Sequence, residues 1–138
     1  MRNRALVFVA AVAVLAATVA PAVSAASPTV TVRPSEFGRV LFDGRGFVLY
    51  AFTADRSGRS ACAGACAKAW PPYTVRKRPT GRLLGTIRRA EGSLQVTYAG
   101  RPLYYYVGDR TPGQILCQNA REFGGLWLVL RADGRLVR

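Results

Sequence analysis

Cys62, Cys66 and Cys117 are the only thiols of the 138-residue chain, and Asp55 and Asp109 are acidic residues whose surroundings repeat. Cys62 and Cys66 are four residues apart, so on a helical turn their side chains share a face. Three uses of that spacing are open. In an oxidising compartment the default is a disulfide, and closing so short a loop contributes only about 2 kcal/mol on the chain-entropy model. A soft-metal site would recruit Cys117 as a third thiolate for Cu(I). A redox-active dithiol would use the pair alone, although the spacing is not the C-x-x-C of thioredoxin-like proteins. The sequence has no histidine, and its single methionine is Met1, so the usual companions of thiolate in copper sites are missing. The Cys62–Cys66 disulfide is the favoured reading. Cys117 follows Ile115 and Leu116 and is expected to be a buried free thiol, although three cysteines allow three pairings.

The absence of histidine also removes the Ser-His-Asp and Cys-His nucleophile systems. Asp55 and Asp109 could converge as acid and base or on a cation. The plainer reading is local. Asp-Arg-Ser-x-Gly and Asp-Arg-Thr-Pro-Gly are turn sequences, in which the carboxylate accepts hydrogen bonds from amides that follow it. Tyr50, Phe52 and Tyr104 read as core or half-buried strand residues before they read as a stacking platform for a ligand. Tyr104, Tyr105 and Tyr106 are consecutive, and strand neighbours alternate faces. At least one of them must leave the core its neighbours share, and an exposed aromatic beside basic residues would begin a binding surface.

These residues sit in a duplicated frame. At an offset of 54, Gly38–Phe42 lines up with Gly92–Val96, Gly46 with Gly100, Leu49-Tyr50 with Leu103-Tyr104, and Asp55-Arg56-Ser57 with Asp109-Arg110-Thr111. One inserted residue, Pro112, then sets Gly58 against Gly113 and Cys62 against Cys117, and further on Trp70 answers Trp127. So many ordered matches mark an internal repeat, at about 37–84 and 91–138. Each unit reads as β. Val40–Phe42 and Phe47–Phe52 are rich in β-branched and aromatic residues around the turn Asp43–Gly46. Leu94, Val96 and Tyr98 alternate with polar neighbours, Ile87 faces Leu94 across a hairpin, and Asp133-Gly134 is a hairpin turn. Only Ser60–Trp70, alanine-rich and stopped by Pro71-Pro72, reads as helical. The expected fold is therefore a single all-β, mainly antiparallel domain at 26–138 with a short helical turn carrying Cys62 and Cys66, and with Trp70 and Trp127 in equivalent core positions.

Arg2 and Arg4, the apolar run from Ala5 to Ala20, Pro21 and Val23-Ser24-Ala25 have the layout of a secretory signal peptide at 1–25, cleaved near Ala25. The run is shorter than the ~20 residues a spanning helix needs, and no stretch of the mature chain is long and apolar enough to span. The net charge is +13 for the whole chain, two fewer once the signal is removed, and arginine supplies nearly all of it. Such a charge attracts polyanions, whether nucleic acid, anionic lipid or acidic wall polymer. Arginine-rich coding explains scattered charge equally well, no nucleic-acid-binding motif accompanies it, and export leaves anionic envelope polymers as the expected partner rather than nucleic acid. Arg76, Lys77, Arg78 and Arg82 with the Arg88-Arg89 pair form the densest basic cluster, in and just beyond what reads as an exposed link at 74–82, with Lys68 just before it.

Tyr50 to Asp55 and again Tyr104 to Asp109, together with Cys62, Gly64, Cys66, Trp70, Pro71 and Pro72, resemble a bacterial secreted and lipoprotein repeat family. That family carries a Tyr-x4-Asp motif and a C-x-G-x-C…W-P-P element. The resemblance covers about 37–138. It implies an exported protein without a known reaction, and many relatives carry a lipid anchor that this chain lacks. It also carries a loose association with alkane catabolism that nothing in these residues derives. No motif implies a cofactor. The leading expectation is a monomeric, non-catalytic envelope or extracellular binding module. Behind it stand a redox or copper-handling protein using Cys62, Cys66 and Cys117, and, weakest, a hydrolase using Asp55 and Asp109.

Overall fold

A computed structural model describes residues 29–138; the segment read as a signal peptide lies outside them. The chain is mostly β with antiparallel sheets. β1 (Val30–Ser35) and β2 (Gly38–Asp43) form a hairpin, with Val30 opposite Asp43 and Ser35 opposite Gly38. β3 (Tyr50–Phe52) is followed by α1 (Ala65–Ala69) and β4 (Thr74–Val75). β5 (Leu84–Arg88) and β6 (Leu94–Tyr98) form the second hairpin, which β7 (Arg101–Pro102) extends. β8 (Ala120–Glu122) and β9 (Gly125–Val129) form the third. The spacing of 54 that relates the two halves of the sequence also carries β1 onto β5 and β2 onto β6.

The two units are interleaved. β3 of the first unit pairs with β9 of the second, Tyr50 opposite Val129 and Phe52 opposite Trp127. The reciprocal partner of Tyr104, in the second unit, is Pro72 of the first. β4 likewise joins β6 of the second unit, while Val40 of the first bridges Arg131 of the second. At the centre Tyr50 and Tyr104 exchange backbone hydrogen bonds, each 2.9 Å. Each unit thus closes its sheet with the last strand of the other.

Strand alternation sends side chains to two cores. Val40, Phe42, Tyr50, Phe52, Tyr104, Trp127 and Val129 share one with Trp70 and the disulfide, whereas Leu41, Leu49, Ala51, Val96, Leu103 and Leu130 share the other. Trp70 and Trp127 lie in parallel planes with centroids 4.0 Å apart, both fully buried. Tyr50 meets Trp70 edge-on at 5.2 Å, and Tyr104 meets Trp127 edge-on at 5.1 Å. The near identity of these two contacts expresses the duplication as an approximate twofold relation around the tryptophan stack.

The helical stretch is shorter than the alanine-rich sequence suggests. Gly64 has φ of +57°, a left-handed conformation outside the α-helix, and the helix runs only over α1. Cys66 lies in it and Cys62 precedes it, and their sulfurs are bonded. The disulfide therefore pins an irregular loop to one helical turn.

Candidate functional site

Both motif tyrosines reach across to the aspartate of the other unit. Tyr50 Oη donates to Asp109 Oδ2 at 2.8 Å, and Tyr104 Oη donates to Asp55 Oδ2 at 2.8 Å. The second oxygen of each carboxylate accepts an amide from the loop that follows it, Ala61 N–H on Asp55 at 2.7 Å and Leu116 N–H on Asp109 at 2.9 Å. These amides lie six and seven residues on, beyond the short turns the sequence suggests, and the tyrosines add a long-range lock. Burial pushes both carboxyls above the ordinary aspartate range, against the pull of these donors. Burial, then the aspartate on the phenol, drives the Tyr50 hydroxyl far above its ordinary value; burial also drives that of Tyr104 upward. The two aspartates serve separate tyrosines, and the cleft beside Asp55 does not include Asp109 in its wall.

A third pair escaped the sequence reading. Asp43, 2% exposed at the end of β2, accepts Tyr105 Oη at 2.9 Å and Arg45 Nε at 2.9 Å. Its other oxygen takes the Arg45 and Phe47 amides. Burial alone would raise its carboxyl, but the Phe47 amide, the Tyr105 hydroxyl and Arg45 together hold it below the ordinary range. Tyr104 and Tyr106 pack with the first core while Tyr105 packs with the second. The face alternation is therefore real, but none of the three tyrosines is fully exposed.

Around Asp55 the network runs further. Ser60 Oγ lies 2.7 Å from Tyr104 Oη. Arg89, its side chain 6% exposed, donates to Ser60 Oγ at 3.0 Å, to Gln95 Oε1 at 2.8 Å, to the Cys62 carbonyl at 2.7 Å and to Glu91 at 2.8 Å. This buried guanidinium holds the loop after Asp55 against the β5–β6 hairpin. Its signal in the sequence was lost among many surface arginines.

With Cys62 and Cys66 joined, Cys117 is the one free thiol among the described residues, and it is half-buried rather than buried. Burial pushes its thiol up, against a hydrogen bond with the Tyr106 hydroxyl. No group of three or more histidine, cysteine or acidic side chains that could hold a metal occurs among the described residues. Pro71 and Pro72 follow α1, and the Pro71 carbonyl accepts the Tyr105 amide at 2.8 Å. Trp70 Nε1 donates to Glu122 Oε2 at 2.7 Å, whereas Trp127 Nε1 is buried without a partner.

Three clefts cluster on the Asp55 side, while others lie beside Asp43 and Tyr105 and beside Leu84 and Tyr98. One of about 270 Å³ is walled by Phe52, Asp55, Arg56 and Arg101; its neighbour, of about 330 Å³, by Arg59, Ser60, Arg88 and Arg89. A third, shared by Arg56 and Arg59, joins them. Glu91 is tied to Arg89, and Asp55 to Tyr104 and Ala61. The open arginines therefore dominate this end.

Two interleaved antiparallel units, locked by reciprocal tyrosine–aspartate bonds around a tryptophan stack, define a duplicated β module. The chain belongs to a family of secreted repeats of unknown function, whose model matches it twice, over residues 31–74 and 85–131. No curated protein and no solved structure matches the chain. No helix among the described residues is long and apolar enough to cross a membrane.

Proposed function

We propose that the chain, exported after loss of a signal near Ala25, is a non-catalytic module of the cell envelope or extracellular space that binds an acidic polymer. The carrying observation is the run of clefts walled by Arg56, Arg59, Arg88 and Arg101 at the Asp55 end. In the equivalent loop of the second unit Gln114, Ile115 and Leu116 stand where the first has Arg59, Ser60 and Ala61. Arg59 is thus specific to the first unit, whereas Arg56 has its counterpart in Arg110. On this reading the motif tyrosines and aspartates are structural, because each hydroxyl and each carboxylate is spent on the lock between units.

The test replaces Arg56, Arg59, Arg88 and Arg101 by glutamine and compares the variant with one lacking Arg76, Lys77, Arg78 and Arg138. Both lose four charges. Affinity for a purified acidic wall polymer should fall more than about tenfold in the first variant, since even one charge-assisted hydrogen bond is worth about 1.5–3 kcal/mol. Equal losses in both would mean that charge acts only as a diffuse field, and the site would be refuted.

A further inference from the structure

Among the described residues, Val107, Leu116 and Phe123 are the large apolar side chains left exposed, at 58%, 61% and 49%. None of them belongs to either core. They fall within one short stretch of the chain, and their segments are tied around one another. The Val107 amide donates to the Ala69 carbonyl at 3.0 Å. Its neighbour Tyr106 packs on Trp70 at 4.7 Å, and Cys117, next to Leu116, packs against the same core. Trp70 in turn holds Glu122, next to Phe123.

Phe123 stands out by its backbone. Glu122 pairs with Gly125, so Phe123-Gly124 is a two-residue hairpin loop, with φ of +52° and +84°. Both angles positive is the type I′ turn, which favours Asn-Gly and penalises a bulky side chain at its first position. Turn geometry does not ask for phenylalanine here, and core packing does not use it. Strain of this kind points to a role for the side chain that is displayed.

Charge says what the patch meets. Lys68, Arg110 and Arg121 are exposed on the same segments, and none makes an ion pair with a described residue. The nearby acids are engaged, Asp109 by Tyr50 and Leu116, and one oxygen of Glu122 by Trp70. Exposed apolar side chains rimmed by free cations fit a bilayer surface bearing anionic headgroups, where apolar groups enter the interface and cations meet phosphates. We infer that the Val107–Leu116–Phe123 patch docks the protein on an anionic lipid bilayer. The two equivalent loops of the duplicated fold then serve different ends, the arginine-lined one open to polymer and the apolar one on the membrane.

The test is co-sedimentation of the exported protein with vesicles, either pure phosphatidylcholine or equal parts phosphatidylcholine and phosphatidylglycerol. Wild type should bind the anionic vesicles and leave the neutral ones. Phe123→Asn fits the turn better, so its thermal midpoint should rise, while vesicle partitioning should drop about tenfold for the lost apolar insertion. These opposite signs separate lost docking from lost folding. The R110Q/R121Q variant should bind less at low salt. Unchanged partitioning of Phe123→Asn, or equal binding to neutral vesicles, overturns the inference. So does a lipid-free dimer that Phe123→Asn dissociates, which would assign the patch to a second copy of the chain.

Discussion

Replacing Tyr50 by phenylalanine removes one oxygen and should expose how the buried carboxylates are held. Asp109 is 7% exposed. Without the Tyr50 hydroxyl its Oδ2 loses its partner at 2.8 Å, while Oδ1 keeps the Leu116 amide. A hydrogen bond to a charged group is worth about 1.5–3 kcal/mol, and a buried group left unsatisfied carries its desolvation cost. The loss of stability near neutral pH should therefore be about 2–3 kcal/mol. In the wild type burial already raises the Asp55 and Asp109 carboxyls above their ordinary 3.8. Their contribution is fully present below that value and is lost as pH rises through the raised folded values. Tyr50→Phe lifts Asp109 further and steepens that loss. Once the carboxyl is protonated only a neutral hydrogen bond is missing, so the penalty should shrink to about 1 kcal/mol in acid. Tyr104→Phe should cost less at neutral pH, about 1 kcal/mol, because Asp55 is more exposed and has Arg89 nearby. Urea unfolding across acid to neutral pH, with the disulfide intact, measures all of this. A penalty for Tyr50→Phe that does not change with pH, or one smaller than that of Tyr104→Phe, would refute the reasoning.

Replacing both Cys62 and Cys66 by serine should cost about 2 kcal/mol, the loop-entropy value for so short a closure, read as a lower urea midpoint. Gly125→Ala should destabilise by roughly 1–3 kcal/mol. A Cβ there would lie 2.6 Å from the Phe52 ring and 3.1 Å from the Ala54 amide, and thermal unfolding would show it. One thiol per chain, Cys117, should react with a disulfide reagent in the native protein, only slowly, because burial keeps its thiol protonated. Stability from Asp43 should behave oppositely to that from Asp109. Its lowered carboxyl makes its contribution present above 3.8 and lost as pH falls through the folded value, so Asp43→Asn should cost least in strong acid.

The duplication, the β character, the hairpins at Asp43–Gly46 and Asp133-Gly134 and the disulfide spacing were legible because each is written in local residue types. The interleaving was not. Nothing in Tyr50 or Trp127 says which unit supplies a neighbour, since both units offer the same strand pattern. Asp55 and Asp109 were legible as acceptors of amides that follow them but not as tyrosine partners, because one carboxylate does both jobs with different oxygens. Asp43 hid in a good turn sequence. Arg89 hid because arginine in an arginine-rich chain gives no hint of burial. The relation of β1 to β5 was also silent. VTVRPS and LGTIR share few residue types, and only the spacing unites them. Phe123 was missed because a phenylalanine before two glycines reads as a strand end, not as the tip of a strained turn.

The interleaved closing strands bear on how the chain reaches its native state. Residue 50 must wait for residue 129, and the slot beside β6 is filled by residues 74–75. Such non-local pairing carries a high loop-closure cost before it is rewarded, and it slows folding. A chain emerging N-terminus first has no complete sheet around β3 until β9 arrives, so the first unit cannot finish by itself. At high concentration another molecule's β9 offers the same edge. Reciprocal exchange is then the natural misassembly, and refolding yield of monomer should fall as protein concentration rises.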